Sequence, residues 1–443
     1  MQTLLERSQG SPLDVFVTRG VPVSTIALLS PHTRRISSLD FVCNELFDIQ
    51  RFSLASPGPL SLLYALSIDT VVEDSLDGFD RTPPSPPLFS NAANLKVFCL
   101  SSCSERSPFL SHFVFPNLVE CELSARPMEG TGFNASQLFD FLEASPMLRI
   151  VWMRIVAYIS FEGVPQGRIV VLPNVEDFTL SMTDGGPGYR IAAHLSCPSA
   201  KSTSLMHEGH ANAIPEEIFP SSVSLNAIVH QYTKRPVEGV LLKIRFGYPI
   251  ICKLTFRSSD TTIIQLCFKV AEEHQDRFEF RMPSEEMYNE VLTQATRTVQ
   301  DHPQLSGVRR LHVCNGFPVP PSAWLPHIAS ETGRLLKSVG PLDELVVYGC
   351  DLRPYLNLLS DPQEGQTEEL VMLPPIKELT ISHPVHLYEV ECAAILSLVK
   401  SRHTLGIPFE RVIIRGEGTP PEMGVEQGAV QYILTTHGYS NLT

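Results

Sequence analysis

The residue groupings that fit chemistry are few. His207-Glu208-Gly209-His210 brings two imidazoles and a carboxylate together, which is the donor set of a zinc hydrolase. A metalloprotease helix needs its histidines at i and i+4, so that both reach the metal from one face. Here they stand at i and i+3 with a helix-weakening glycine between them, so the segment reads as a loop. His383-Pro384-Val385-His386 brackets a proline, which suits a turn at a strand exit better than a ligand pair. Asp184-Gly-Gly-Pro-Gly188 is glycine-rich but lacks the lysine with which a phosphate loop reaches its ligand, and reads as a turn. Pro83-Pro-Ser-Pro-Pro87 has polyproline composition and reads as a solvated loop. No Gly-x-Ser-x-Gly elbow occurs, and no serine, cysteine or carboxylate pair stands out for nucleophilic or acid–base work. The expectation is therefore a chain that is not an enzyme, with no catalytic residue, no cofactor and no metal. A remote alternative, an α/β hydrolase, needs a convergent polar cluster that the sequence does not display.

Charge narrows the partners. Across 443 residues, 48 acidic side chains outweigh 34 basic ones, for a net charge of −14. With no Lys/Arg cluster, such a chain repels phosphate backbones and anionic lipid, so neither nucleic acid nor membrane is expected as a partner. The ten cysteines form no Cys-x-x-Cys pair, and most lie in apolar runs such as VECEL around Cys121 and IIQLCFKV around Cys267. That usage fits a reducing, intracellular compartment, cytoplasmic or nuclear. The opening residues contain no apolar signal core, and the apolar stretch from Ile150 to Ile159 is interrupted by Arg154 and too short to span a bilayer.

The elements that position these residues announce themselves as a repeat. VRRLHVCN from Val308, LDELVVYG from Leu342, IKELTISH from Ile376 and FERVIIRG from Phe409 align without gaps, each apolar at its first, fourth and sixth positions. Helical patterns lie between them at Ala323–Lys337, Leu352–Leu359 and Glu389–Lys400. The first half repeats the motif less evenly, with apolar starts at Leu95, Leu118, Leu148 and Val175. Fainter copies begin at Ile36 and Tyr64. SQLFDFLEAS is the clearest helix there, with Asn134 or Ser136 as its N-cap. One strand plus one helix cannot bury its own apolar face, but stacked copies can, so the period predicts parallel strands backed by helices. The expected fold is α/β, an irregular leucine-rich-repeat solenoid.

Residues 240–282 break the period. LLKIRFG, IICKLTFRS, TTIIQLCFKV and RFEFRM read as a β-meander, preceded by a helix over Pro220–Tyr232. The expected organisation is an N-terminal repeat half over 1–235, an insertion or join over 236–283, and a C-terminal repeat half over 284–443. If positions one, four and six face the core, then three, five and seven face outward. In the C-terminal half these are Arg310, His312 and Cys314; Glu344, Val346 and Tyr348; Glu378, Thr380 and Ser382; Arg411, Ile413 and Arg415. In the N-terminal half they include Glu120, Glu122, Ile150, Trp152, Arg154, Asp177 and Thr179. Exposed aromatics beside arginine have the make-up of a protein-binding hot spot. The candidate contacts are thus Glu122, Trp152, Arg154, His312, Glu344, Tyr348, Glu378 and Arg415. A slip of one residue would exchange the faces, and the apolar Val151 and Met153 permit it.

The opening segments LLERSQGSPLDVFV, LLSPHTRRISSLDFV and DIQRFSL…GPLSLLYALSID resemble the F-box-like leucine-rich-repeat proteins of mushroom-forming (basidiomycete) fungi, over roughly the first seventy residues. In that group an F-box precedes the LERS-type segment, and this chain, which opens almost on that segment, is expected to lack it. The resemblance implies the substrate-recruiting half of an F-box-type ubiquitin-ligase receptor: it would hold a protein target and would not bind a Skp-type adaptor. A free-standing scaffold with no ubiquitin link is the alternative.

Overall fold

A computed structural model of the chain describes residues 2–8, 10–18, 21, 28–43, 49, 58–70, 87–102, 110–125, 132–155, 158–183, 187–210, 231–232, 239–245, 250–258, 261–271, 293, 297, 308–315, 325–348, 356, 359, 374–383, 389–416 and 430–435. The chain divides into two units: Met1–Ser204 with His230–Thr233, and Leu205–Val229 with Lys234–Thr443. Within each unit the long described strands pair in an open, mostly parallel order, with few helices among the described residues.

Unit 1 is built on the strands β1 (Leu13–Val17), β2 (Ile36–Cys43), β3 (Ala65–Thr70), β4 (Val97–Ser102), β5 (Glu120–Ala125), β7 (Ile150–Ile155) and β10 (Asp177–Thr183). They pair in that order, all parallel. The joints repeat as closely as the strands. The amides of Lys96 and Val97 both donate to the Tyr64 carbonyl, those of Val119 and Glu120 to Lys96, those of Arg149 and Ile150 to Val119, and those of Glu176 and Asp177 to Arg149. One residue before three of the strand motifs, asparagine closes the step. Asn94 donates its side-chain amide to the Ser61 carbonyl (2.6 Å), Asn117 to Ala93 (3.0 Å) and Asn174 to Pro146 (3.0 Å). Each amide thus satisfies a loop carbonyl of the preceding copy that no ladder reaches. The asparagine that leads the apolar start in Asn94-Leu95, Asn117-Leu118 and Asn174-Val175 has this physical reason.

Positions one, four and six are buried in all six copies, from Ile36, Leu39 and Phe41 to Val175, Phe178 and Leu180. The copy read from Tyr64 begins one residue earlier: Leu63, Leu66 and Ile68 are buried, and Tyr64 is exposed. Behind the strands, Phe98 packs against Phe113, Phe115 and Phe141, with ring centroids 5.2, 5.1 and 5.8 Å away. Phe141 comes from a helix over Ala135–Glu143, whose buried Leu138, Phe139, Phe141 and Leu142 form one face. Asn134 caps it, accepting from the amides of Ser136 (2.8 Å) and Gln137 (3.2 Å). Two short parallel pairs flank the loops: β6 (Gly132–Asn134) with β8 (Tyr158–Ser160), and β9 (Val170–Val171) with β11 (Leu195–Ser196).

Two expected loop segments are not loops. His207–His210 is the last part of β12 (Ser202–His210), a strand that buries Thr203 and Leu205 and leaves Ser202, Ser204 and Met206 more open. The glycine-rich 184–188 segment is not wholly a turn, since a helix opens within it at Pro187 and runs to Ala193. Proline is pre-shaped for a first helical position, where its missing N–H costs nothing.

Unit 2 contains β13 (Gly239–Arg245), β14 (Ile250–Ser258), β15 (Thr261–Ala271), β16 (Arg310–Asn315), β17 (Leu342–Tyr348), β18 (Ile376–His383), β19 (Arg411–Gly416) and β20 (Val430–Thr435). The expected meander is there, β13 to β15 being antiparallel, and its first strand joins the repeat strands by pairing parallel with β16. From β16 to β19 every pair is parallel. Helices over Leu325–Ser338 and Glu389–Thr404 occupy two of the expected intervals. RFEFRM, and most of Pro83–Pro87, Pro220–Tyr232, Leu352–Leu359 and His383–His386, lie outside the described residues. The antiparallel edge strand β20 carries no copy of the motif and was not expected. Arg402, 1 % exposed, lies over the Phe409 ring and donates to the carbonyls of Pro374 and Ile407. It ties the end of its helix to the starts of β18 and β19, where a cation also suits the helix dipole.

The outward rule breaks in unit 2. Thr380 and Ile413, both fifth-position residues expected at the surface, are 1 % and 3 % exposed. Alternation tells which face of a strand a residue takes, but a sheet can be covered on both faces, and around β18 and β19 this one is. Thr255 belongs to the same register row and is buried as well.

Candidate interaction face

In unit 1 the outward positions line up in three rows across the strands. Fifth positions run Phe16, Asp40, Ser67, Cys99, Glu122, Trp152 and Thr179 from β1 to β10, each the register partner of the next. Third positions end in Glu120, Ile150 and Asp177; seventh positions include Asp69, Ser124 and Arg154. Apart from Ser181, every described side chain in these rows is half-buried or exposed, so Trp152 and its neighbours stand on the face that the spacing assigned them. Strands about 4.8 Å apart place Asp40 and Trp152 about 19 Å from each other.

The face is acidic. Asp40, Asp69, Glu120, Glu122 and Asp177 make no ion pair among the described residues. Arg154 is the only cation on the three rows. The negative field registers on Cys99, whose thiol is pushed up to about 11, first by burial and then by Glu122, Glu120 and Asp40. Its sulfur lies 3.8 Å from a Glu122 oxygen.

Carboxylates at the margin of the same sheet behave differently. Glu176, just before β10, takes Arg149 (2.5 Å) and Lys201 as partners, and Arg168 bridges Asp140 and Glu143 at 2.7 Å each. Hydrogen bonds from Lys201 and then Arg149 hold the Glu176 carboxyl below the usual glutamate range. A depressed folded-state value adds stability at pH values above the ordinary glutamate range, which is lost as pH falls through the folded value. Replacing both cations (Lys201→Met with Arg149→Met) is expected to return the Glu176 titration, followed by carboxyl-carbon NMR, to the ordinary range. An unmoved titration would show that the pairing contributes nothing.

No family model matches the chain, and no curated protein matches it. Among the described residues, no group of three His, Cys, Asp or Glu side chains is placed to hold a metal, and no helix is long and apolar enough to cross a membrane.

The unit 2 candidates are placed less openly. Glu344 lies 3.6 Å from His312 and 3.9 Å from Arg310, and Glu378 pairs with Arg411. His312 is held below the usual histidine range, chiefly by burial, with Arg257 and Arg310 adding to the effect and Glu344 opposing it. Tyr348 ends β17 and Arg415 is the fifth residue of β19, but their side chains lie outside the description. The structure thus brings Glu122, Trp152 and Arg154 together on one face, sets Glu344 beside His312 and Arg310, and separately pairs Glu378 with Arg411. Asp40 and Asp69 were missed because the faint copies were not carried through to their outward positions. Applying the same one-four-six rule from Ile36 and Leu63 would have found them.

Proposed function

We propose that this chain is a non-catalytic, protein-binding solenoid of the leucine-rich-repeat kind, and that unit 1 contacts its target through the open face around Trp152. The observation that carries this reading is the in-register face itself, with a half-buried tryptophan among carboxylates that no described cation neutralises. Side chains fixed on paired strands lose little freedom when a partner docks, and a tryptophan contributes large contact area at low rotamer cost. The resemblance in the first seventy residues gives the role a direction, the recruitment of a protein to a ubiquitin ligase.

Trp152→Ala is expected to abolish capture of the target by the tagged full chain, measured by crosslinking and mass spectrometry in cells, while shifting the melting temperature by no more than about 2 °C, as surface substitutions do. Unfolding, or an unchanged set of crosslinked proteins, would show that the contact lies elsewhere. The ubiquitin link has its own readout. A receptor's target accumulates when the chain is depleted, and a scaffold's target does not.

A further inference from the structure

The charge pattern of the unit 1 face says what kind of segment fits it, provided the binding role proposed above is right. Five of its carboxylates, Asp40, Asp69, Glu120, Glu122 and Asp177, are spread from β2 to β10, five strand steps, or about 24 Å. β2, β3, β5 and β10 contribute these groups at fixed outward positions, so the separation is set by the register and not by flexible loops. Elsewhere in the chain, carboxylates such as Glu176, Asp343 and Glu378 have an arginine or lysine within ion-pair distance. Among the described residues those on the face do not, and like charges gathered on one sheet surface oppose folding unless something offsets them.

A second copy of this chain cannot be that something, because it carries a net charge of −14 and no Lys/Arg cluster. Nucleic acids and anionic lipid share its sign. The complement is a cationic protein segment. Trp152 favours the same choice: its ring lies in register with Glu122, so a guanidinium or ammonium group placed there meets a π-face and a carboxylate together. An extended peptide advances about 3.3 Å per residue, so some seven residues span the acidic stretch.

We propose that the partner docks a basic, extended segment of about seven residues across strands β2 to β10, with one Lys or Arg seated between Trp152 and Glu122. The test is selection of a random twelve-residue phage-displayed peptide library on the immobilised full chain, followed by titration of the selected peptides. The expected peptides are rich in Lys and Arg. Their affinity should fall at least tenfold with Asp40→Asn/Glu120→Gln/Glu122→Gln, and severalfold with Glu122→Gln alone. A control, Glu162→Gln/Glu410→Gln, should leave it unchanged. The amide substitutions keep side-chain shape and remove only like charge, so the melting temperature should hold or rise. Should the triple variant melt early, the single variant decides. Neutral or acidic peptides that bind the wild type, are lost with Trp152→Ala and ignore the amide variants would overturn the basic segment while leaving the binding face intact. If no selected peptide is weakened by Trp152→Ala, both the segment and the face are wrong.

Discussion

Phe98→Ala is expected to destabilise unit 1 by about 3–5 kcal/mol, the usual cost of emptying a buried aromatic site. The ring is 0 % exposed and touches three others, Phe113, Phe115 and Phe141, which come from two segments. Those segments are a short 3-10 turn with its exit (Leu110–Phe115) and the Asn134-capped helix, so no single neighbour can move to fill the space. For a unit of about two hundred residues that loss lowers the melting temperature by roughly 6–20 °C. Hydrogen exchange should speed up first in residues 135–143. Phe98→Leu keeps most of the volume and should cost less than half as much. A Phe98→Ala melt within 2 °C of the wild type would show that β4 does not carry the core.

Leu379→Ala is the matching prediction for unit 2, at about 2–5 kcal/mol. Leu311, Leu345, Leu379 and Val412 are consecutive register partners across β16 to β19, and each is 1 % exposed or less. Truncating one member leaves a cavity walled by strands that are tied to one another and cannot close over it. Glu410→Ala, exposed beside β19, is the control and should lie within about 0.5 kcal/mol of wild type. The neighbouring Thr380 cannot serve as an exposed control. Its hydroxyl is buried with no hydrogen-bond partner among the described residues. Thr380→Val keeps the shape, removes the unsatisfied oxygen and should be neutral or stabilise by about 1 kcal/mol. Denaturant melts of Leu379→Ala, Glu410→Ala and Thr380→Val should therefore fall below, on and on or above the wild-type curve. A loss in Thr380→Val as large as in Leu379→Ala would mean that the hydroxyl has a partner.

The sequence by itself determined the repeat, the direction of its strands and the side of each strand that faces the core. Leu118, Cys121 and Leu123 are buried, and Glu120 and Glu122 are not, because a strand places alternate residues on opposite faces whatever surrounds it. Asn134 could be named as a cap for a similar reason, since the helix end that needs its oxygen is three residues long. Only the tertiary structure decided whether an outward face meets water. Thr179 and Thr380 hold the same fifth position in their repeats, yet one is half-buried on an open face and the other is sealed in. Spacing cannot report what is packed against the far side of a sheet. Nor can it report charge pairing across strands: Glu122 and Glu378 sit at outward positions of equivalent strands, and the register gives one a tryptophan beside it and the other an arginine. His207 and His210 make the same point for chemistry. Their i and i+3 spacing argued against a metal-binding helix, but the extended path of β12 was settled by the strands around it, through pairings between residues far apart in the chain.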